Sequence, residues 1–256
     1  MIDYSQFTIP KGIELCYCGP SLDEGPLPAV IYLALSGSDS LTLDPINQPV
    51  AFLLNHYKIR VFSLTLPAHE PPLRPQDAFT EWADAFSKGN DLIRPFIGNV
   101  VHAVDFLIDE QIATNIGIAG LSRGGFLALH SAAISPHLKT ILAFAPVTKL
   151  GLSKEFSSLS SDPNLQKLDL FFLCDKLFDK SVRVYIGNRD ELVSTSSCFS
   201  FIQNLAEVAY QNKIRSPQVE MIISPSIGYQ GHGTATPLFE QGAAWLAKQL
   251  GARGIR

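Results

Sequence analysis

Apolar residues fall along this chain in two alternating patterns. Six short runs rich in β-branched residues cover residues 29–35, 59–66, 115–119, 140–144, 182–187 and 219–223. Most are apolar at every position, which suits interior strands buried on both faces of a parallel sheet. Between them, residues 48–57, 91–110, 123–134, 197–211 and 237–250 carry apolar positions at helical spacing. Strand followed by helix, repeated, predicts an α/β fold with a mostly parallel central sheet and helices on both faces. Two earlier runs, 7–9 and 13–18, flank Pro10-Lys11-Gly12 and predict an antiparallel hairpin at the sheet edge.

Two stretches break the alternation. Residues 67–90 contain Pro67, Pro71, Pro72 and Pro75, then a short aromatic helix candidate at 79–86. Residues 152–180 begin Ser/Asp-rich and continue as an apolar helix candidate, 165–178. Long insertions after strand ends are where lids and binding loops sit, so 152–180 is expected to form a small cap. Its Leu168, Leu170, Phe171, Phe172, Leu173, Leu177 and Phe178 exceed what one helix face needs. Part of that surface is expected to pack on the core, and the remainder is a candidate wall for an apolar acyl pocket.

At 256 residues the chain suits one large domain, 1–256. Hydrophobic residues make up 46% and charged residues 17%, which supplies a core and excludes general disorder. The net charge of −4 offers no basic stripe for nucleic acid. No apolar run is long enough for a membrane span, and the N-terminus lacks a secretory pattern. Cys16, Cys18, Cys174 and Cys198 have neither zinc spacing nor a Cys-x-x-Cys motif. Free buried thiols in a reducing cytoplasm are therefore expected. No metal or organic cofactor is implied.

Gly120-Leu121-Ser122-Arg123-Gly124 matches G-x-S-x-G, directly after one strand and at the start of one helix. That context is a nucleophile elbow: a strained turn lifts the serine above the sheet, and glycines two residues away let strand and helix approach. Ser122 is the candidate nucleophile. A serine nucleophile needs a base, and the base needs an acid to orient it. Three histidines follow. His130 lies inside the helix that begins at the elbow, and His137 falls at the opposite end of the sheet. His232 sits in a glycine-rich loop, Gly228-Tyr229-Gln230-Gly231-His232-Gly233, beyond the last strand, and is the candidate base.

For the acid, Asp190 follows the strand 182–187, with Glu191 as the fallback one residue on. Asp175 and Asp179 precede that strand and fall at the wrong sheet end. Ser122, Asp190 and His232 thus all lie just past the carboxyl end of a strand, where open α/β sheets place their sites. The N–H of Arg123 is one expected oxyanion donor. The second is expected from the loop Ser36-Gly37-Ser38-Asp39-Ser40, at Ser38 or Gly37, with Ser38 preferred. Asp39 and Arg123 are a candidate ion pair. His69 is expected to bond loop backbone.

With these residues in place, the chain resembles the α/β-hydrolase superfamily over nearly its whole length. The Ser-Arg-Gly-Gly elbow, the Gly187-Asn188-Arg189-Asp190-Glu191-Leu192-Val193 run and the Gly-His-Gly loop look like the dienelactone-hydrolase and prolyl-oligopeptidase-like branch. In that branch the acid is the Asp of a G-x-x-D-x-x-V run, which falls on Asp190. Leu66-Pro67-Ala68-His69 is similar to the Pro-Gly-His of many hydrolases. Dienelactone hydrolases carry Cys at the elbow where this chain has Ser122, and the lipase His-Gly-Gly run is replaced by Ser36-Gly37-Ser38. The resemblance implies a serine hydrolase acting on a small carboxylic ester. A prolyl-oligopeptidase-like peptidase and a hydrolase-fold binding module are the rival readings.

Overall fold

In the computed structural model, which describes residues 2–255, the apolar runs become eight strands of one sheet. They are β1 (Ser5–Ile9), β2 (Ile13–Cys18), β3 (Leu27–Leu33), β4 (Arg60–Ser63), β5 (Ala113–Leu121), β6 (Leu138–Phe144), β7 (Ser181–Gly187) and β8 (Val219–Ser224). Their order is β1-β2-β4-β3-β5-β6-β7-β8. From β4 to β8 every neighbouring pair is parallel. The β1–β2 hairpin is antiparallel and joins the sheet through β4.

Among the described residues, nine α-helices accompany the sheet: α1 (Gly37–Thr42), α2 (Gln48–His56), α3 (Ala78–Ser87), α4 (Ile93–Asp109), α5 (Arg123–Ile134), α6 (Pro163–Gln166), α7 (Cys174–Leu177), α8 (Thr195–Gln211) and α9 (Thr236–Gln249). Two cores result. Ala29, Ile31 and Leu33 of β3 belong to the core on the side of α4, α5 and α8, while Val30 and Tyr32 belong to the core on the side of α2 and α9. Burial on both faces is why β3 reads as an unbroken apolar run rather than an alternating one. Cys16 and Cys18 share one face of β2, and all four cysteines are buried and unbonded. Among the described residues, no helix is long and apolar enough to cross a membrane.

Two elements depart from the sequence reading. The loop after β3 coils into α1, whose N-cap Ser36 accepts the Asp39 N–H through its hydroxyl at 3.1 Å. The helix candidate 165–178 breaks into α6, a 3₁₀ turn at Leu170–Leu173, and α7. The Leu170 N–H is drawn to the Thr148 carbonyl, 3.0 Å away in the loop after β6, instead of to a helical partner. Leu165, Leu168, Leu170, Leu173 and Leu177 are buried in the core, leaving Phe171 and Phe172 exposed.

His130 fastens this insertion to α5. Its Nε2–H donates to the Leu168 carbonyl at 2.8 Å, and the ring packs edge-on against Phe126. Burial holds its pKa down at about 4. Between pH 6.5 and about 4 the unfolded chain therefore binds a proton that the folded chain does not. This contribution is fully present above pH 6.5 and is lost as pH falls through that window, by up to about 3 kcal/mol. Thermal melts should show Tm declining from pH 6.5 towards 4, with a shallower slope in His130→Gln.

Candidate active site

The site begins at the turn from β5 into α5. Ser122 has φ 54° and ψ −115°, a conformation of the left-handed region that costs about 1–3 kcal/mol. Neighbouring backbone holds it there. The Ser122 N–H donates to Phe144 O at 2.8 Å, and the Ser122 carbonyl accepts from Phe126 and Val147 at 3.2 Å each. The flanking glycines are required by contact. A Cβ on Gly120 would sit 2.3 Å from the Gly124 backbone, and one on Gly124 would sit 1.8 Å from Leu33 O. Gly124→Ala must push α5 away from β3, and denaturant unfolding should show a loss of at least about 3 kcal/mol.

Past β7 the chain turns and presents Asp190. Its carboxylate is fully buried. Oδ1 accepts the N–H groups of Leu192 and Val193 at 3.0 Å each. The Asp190 N–H donates to Thr195 Oγ1, whose hydroxyl donates in turn to Gly187 O. Glu191 makes no hydrogen bond to the imidazole and pairs with Arg189 at 2.9 Å.

The loop after β8 brings in the third side chain. Gly231, at φ 75°, passes so close to Arg189 that an added Cβ would lie 2.2 Å from its carbonyl oxygen. This contact sets the next residue, His232, over the sheet edge. His232 Nδ1 is 2.7 Å from Asp190 Oδ2, and Nε2 is 2.9 Å from Ser122 Oγ. An ionised carboxylate only accepts, so the Nδ1 position carries the proton and Nε2 offers a lone pair to the serine hydroxyl.

The other candidates fall elsewhere. His130 is held at Leu168, and His137 lies before β6, 3.9 Å from Asp105. Asp179 pairs with Lys139 ahead of β7, and Asp175 lies in α7. His69 is buried with Nδ1 2.9 Å from Pro67 O, the same carbonyl that accepts Trp82 Nε1–H at 2.8 Å. Burial lowers the His69 pKa to about 4.

Of the two oxyanion-loop candidates, Gly37 has its N–H engaged by Thr65 Oγ1 at 2.9 Å. The N–H groups of Ser38 and Arg123 have no protein acceptor among the described residues, as first-turn helix amides commonly lack one. The expected Asp39–Arg123 ion pair does not form. Asp39 stays in the first turn of α1, where its charge complements the helix dipole. Arg123 turns the other way, donating from Nη1 to Pro75 O at 2.9 Å and lying over the Phe79 ring at 5.1 Å.

Ser122 and His232 open onto a cavity of about 470 Å³. Gln76 and Phe79 from the first insertion form part of its wall, with Leu152, Ser153, Lys154 and Glu155 from the second; Leu192, Val193 and Tyr229 complete much of the rest. The apolar run 165–178 contributes nothing to it, so the acyl wall considered for that run is not there. Gln76, Phe79 and Glu155 carry no motif. Their only signal in the sequence is that they belong to insertions following strands.

No model of a known protein family matches the sequence, and no curated protein matches it. Solved structures do. A cold-adapted esterase from an Arctic intertidal metagenomic library superposes with TM-score 0.66 at 18% identity, covering 96% of this chain and 92% of that one. TT1662 from Thermus thermophilus gives TM-score 0.71 at 16% identity, covering 99% and 100%. Prolyl oligopeptidase B from Galerina marginata gives TM-score 0.67 at 17% identity, covering all of this chain but 38% of that larger one. The strand order, the elbow between β5 and α5 and these full-length superpositions together identify the architecture: the chain has the α/β-hydrolase fold.

Proposed function

We propose that this protein is a serine hydrolase that cleaves a carboxylic ester of a small molecule through an acyl-enzyme. The observation that carries this reading is the hydrogen-bonded chain Asp190–His232–Ser122, at 2.7 and 2.9 Å, with the serine on a strained elbow facing a cavity. In the first step Ser122 Oγ attacks the ester carbonyl while His232 Nε2 takes the hydroxyl proton. Asp190 holds the imidazole tautomer and stabilises the imidazolium that forms. The N–H groups of Arg123 and Ser38 receive the developing oxyanion. The tetrahedral intermediate collapses, and the imidazolium returns its proton to the departing alkoxide. Water then attacks the acyl-enzyme with His232 again as base, which releases the acid and restores Ser122.

The chemistry assigned to these residues requires neither metal nor organic cofactor. Four buried, unbonded thiols suit a reducing, cytoplasmic setting. Turnover of a short para-nitrophenyl ester tests the reading, together with a fluorophosphonate adduct located on Ser122 by peptide mass. Absence of both rejects it in favour of a binding module. The likeness to the oligopeptidase domain supports a second, peptidase reading. Faster turnover of peptidyl para-nitroanilides than of matched esters would favour that one.

A further inference from the structure

Among the described residues, one charge on the wall of the cavity beside Ser122 has no ion-pair partner. Glu191 on its wall is 2.9 Å from Arg189, and Glu155 is 3.7 Å from Lys154. Arg123, on the same wall, has no carboxylate within 4 Å among the described residues. Its guanidinium is nevertheless fixed. One N–H of Nη1 is tied to Pro75 O at 2.9 Å, and the plane is carried over Phe79. A guanidinium has five N–H donors, and among the described residues no other protein acceptor takes the remaining four. Glu155 acts on Arg123 only through longer-range charge, and burial lowers the Arg123 pKa to about 10, so the group stays cationic at neutral pH.

From this juxtaposition, and resting on the hydrolase reading above, we infer that Arg123 selects esters bearing a single carboxylate a few bonds from the scissile carbonyl. Arg123 follows the nucleophile in sequence, so its side chain is anchored beside the reacting centre. Phe79, Leu152 and Val193 supply apolar wall for a short methylene spacer. A planar carboxylate matches the guanidinium fork with two parallel hydrogen bonds. Glu155 and Glu191 in the same wall disfavour a doubly charged group, so the structure favours a monoanion. The side chain acts in specificity, separately from the backbone N–H proposed for the oxyanion.

The test compares para-nitrophenyl hydrogen adipate with para-nitrophenyl hexanoate, which share the acyl chain length and differ in the terminal carboxylate. The native protein should favour the adipate ester by about tenfold in kcat/KM, the scale of one charge-assisted contact. In Arg123→Met the ratio should fall to one or below. Salt provides a second measurement that needs no variant: it should lower kcat/KM for the adipate ester and leave the hexanoate value in place. A native preference for hexanoate, a ratio unchanged in Arg123→Met, or an equal salt response of the two esters overturns the inference. Hexanoate turnover without carboxylate preference removes only this inference. A protein that turns over neither ester and takes no fluorophosphonate removes the hydrolase reading as well.

Discussion

Ser122→Ala should abolish fluorophosphonate labelling and lower ester turnover by on the order of 10⁴-fold or more, with the thermal midpoint close to that of the parent. The loss follows from the proposed chemistry. Without Oγ nothing remains for His232 Nε2 to deprotonate at 2.9 Å, and only the oxyanion donors and substrate binding still act. The fold should survive because the side chain faces the cavity rather than the core, so truncation leaves no buried void. The backbone bonds that hold the elbow, from Ser122 N–H to Phe144 O and from Phe126 and Val147 to the Ser122 carbonyl, do not use the hydroxyl. Alanine keeps the same positive φ, so the strain changes little. Labelling that persists in the variant, at any other serine, removes Ser122 as nucleophile.

Asp190→Asn should lower kcat by about 10⁴-fold while KM changes little. The structure fixes which way the new amide must face. Asp190 Oδ1 accepts two backbone N–H groups, from Leu192 and Val193, so the asparagine carbonyl must take that position. Its NH₂ then faces His232 Nδ1, where the carboxylate Oδ2 had accepted at 2.7 Å. Two donors cannot share one hydrogen bond, so the imidazole is driven to the tautomer with its proton on Nε2. That nitrogen can no longer take the serine proton. Raising pH should recover part of the rate where hydroxide replaces the missing base. Glu191→Gln should change kcat less than about threefold, because Glu191 pairs with Arg189 and not with the imidazole. A crippled Glu191→Gln with an active Asp190→Asn would reverse the assignment of the acid.

Much of this architecture is legible in the sequence because the responsible forces are local. Apolar runs without alternation mark strands buried on both faces, and β3, β5, β6 and β7 lie where those runs fall. Glycine spacing around Ser122 marks a close approach that only a residue without Cβ permits, and the contacts of Gly120 and Gly124 bear this out. Ser122, Asp190 and His232 each follow a strand, and a parallel sheet gathers all such positions at one edge. Their convergence is thus a consequence of topology that the sequence already implies.

Other features depend on contacts between distant segments, which no local pattern encodes. Residues 165–178 have helical spacing, yet one bond from Leu170 N–H to Thr148 O breaks the helix and sends its leucines into the core. Asp39 and Arg123 have opposite charge and flank the same site. Helix α1 keeps the first at its own N-terminus, while Pro75 and Phe79, nearly fifty residues earlier in the chain, draw the second away. The choice between Gly37 and Ser38 as free amide rests on the position of one hydroxyl, Thr65 Oγ1. Composition and periodicity determine which segments become strands and which strand ends carry chemistry, because burial and backbone sterics act within a few residues. The partners of each polar group, and with them the charge of the cavity, are decided only when the insertions close over the sheet, because a hydrogen bond or ion pair depends on ångström distances between residues far apart in the chain.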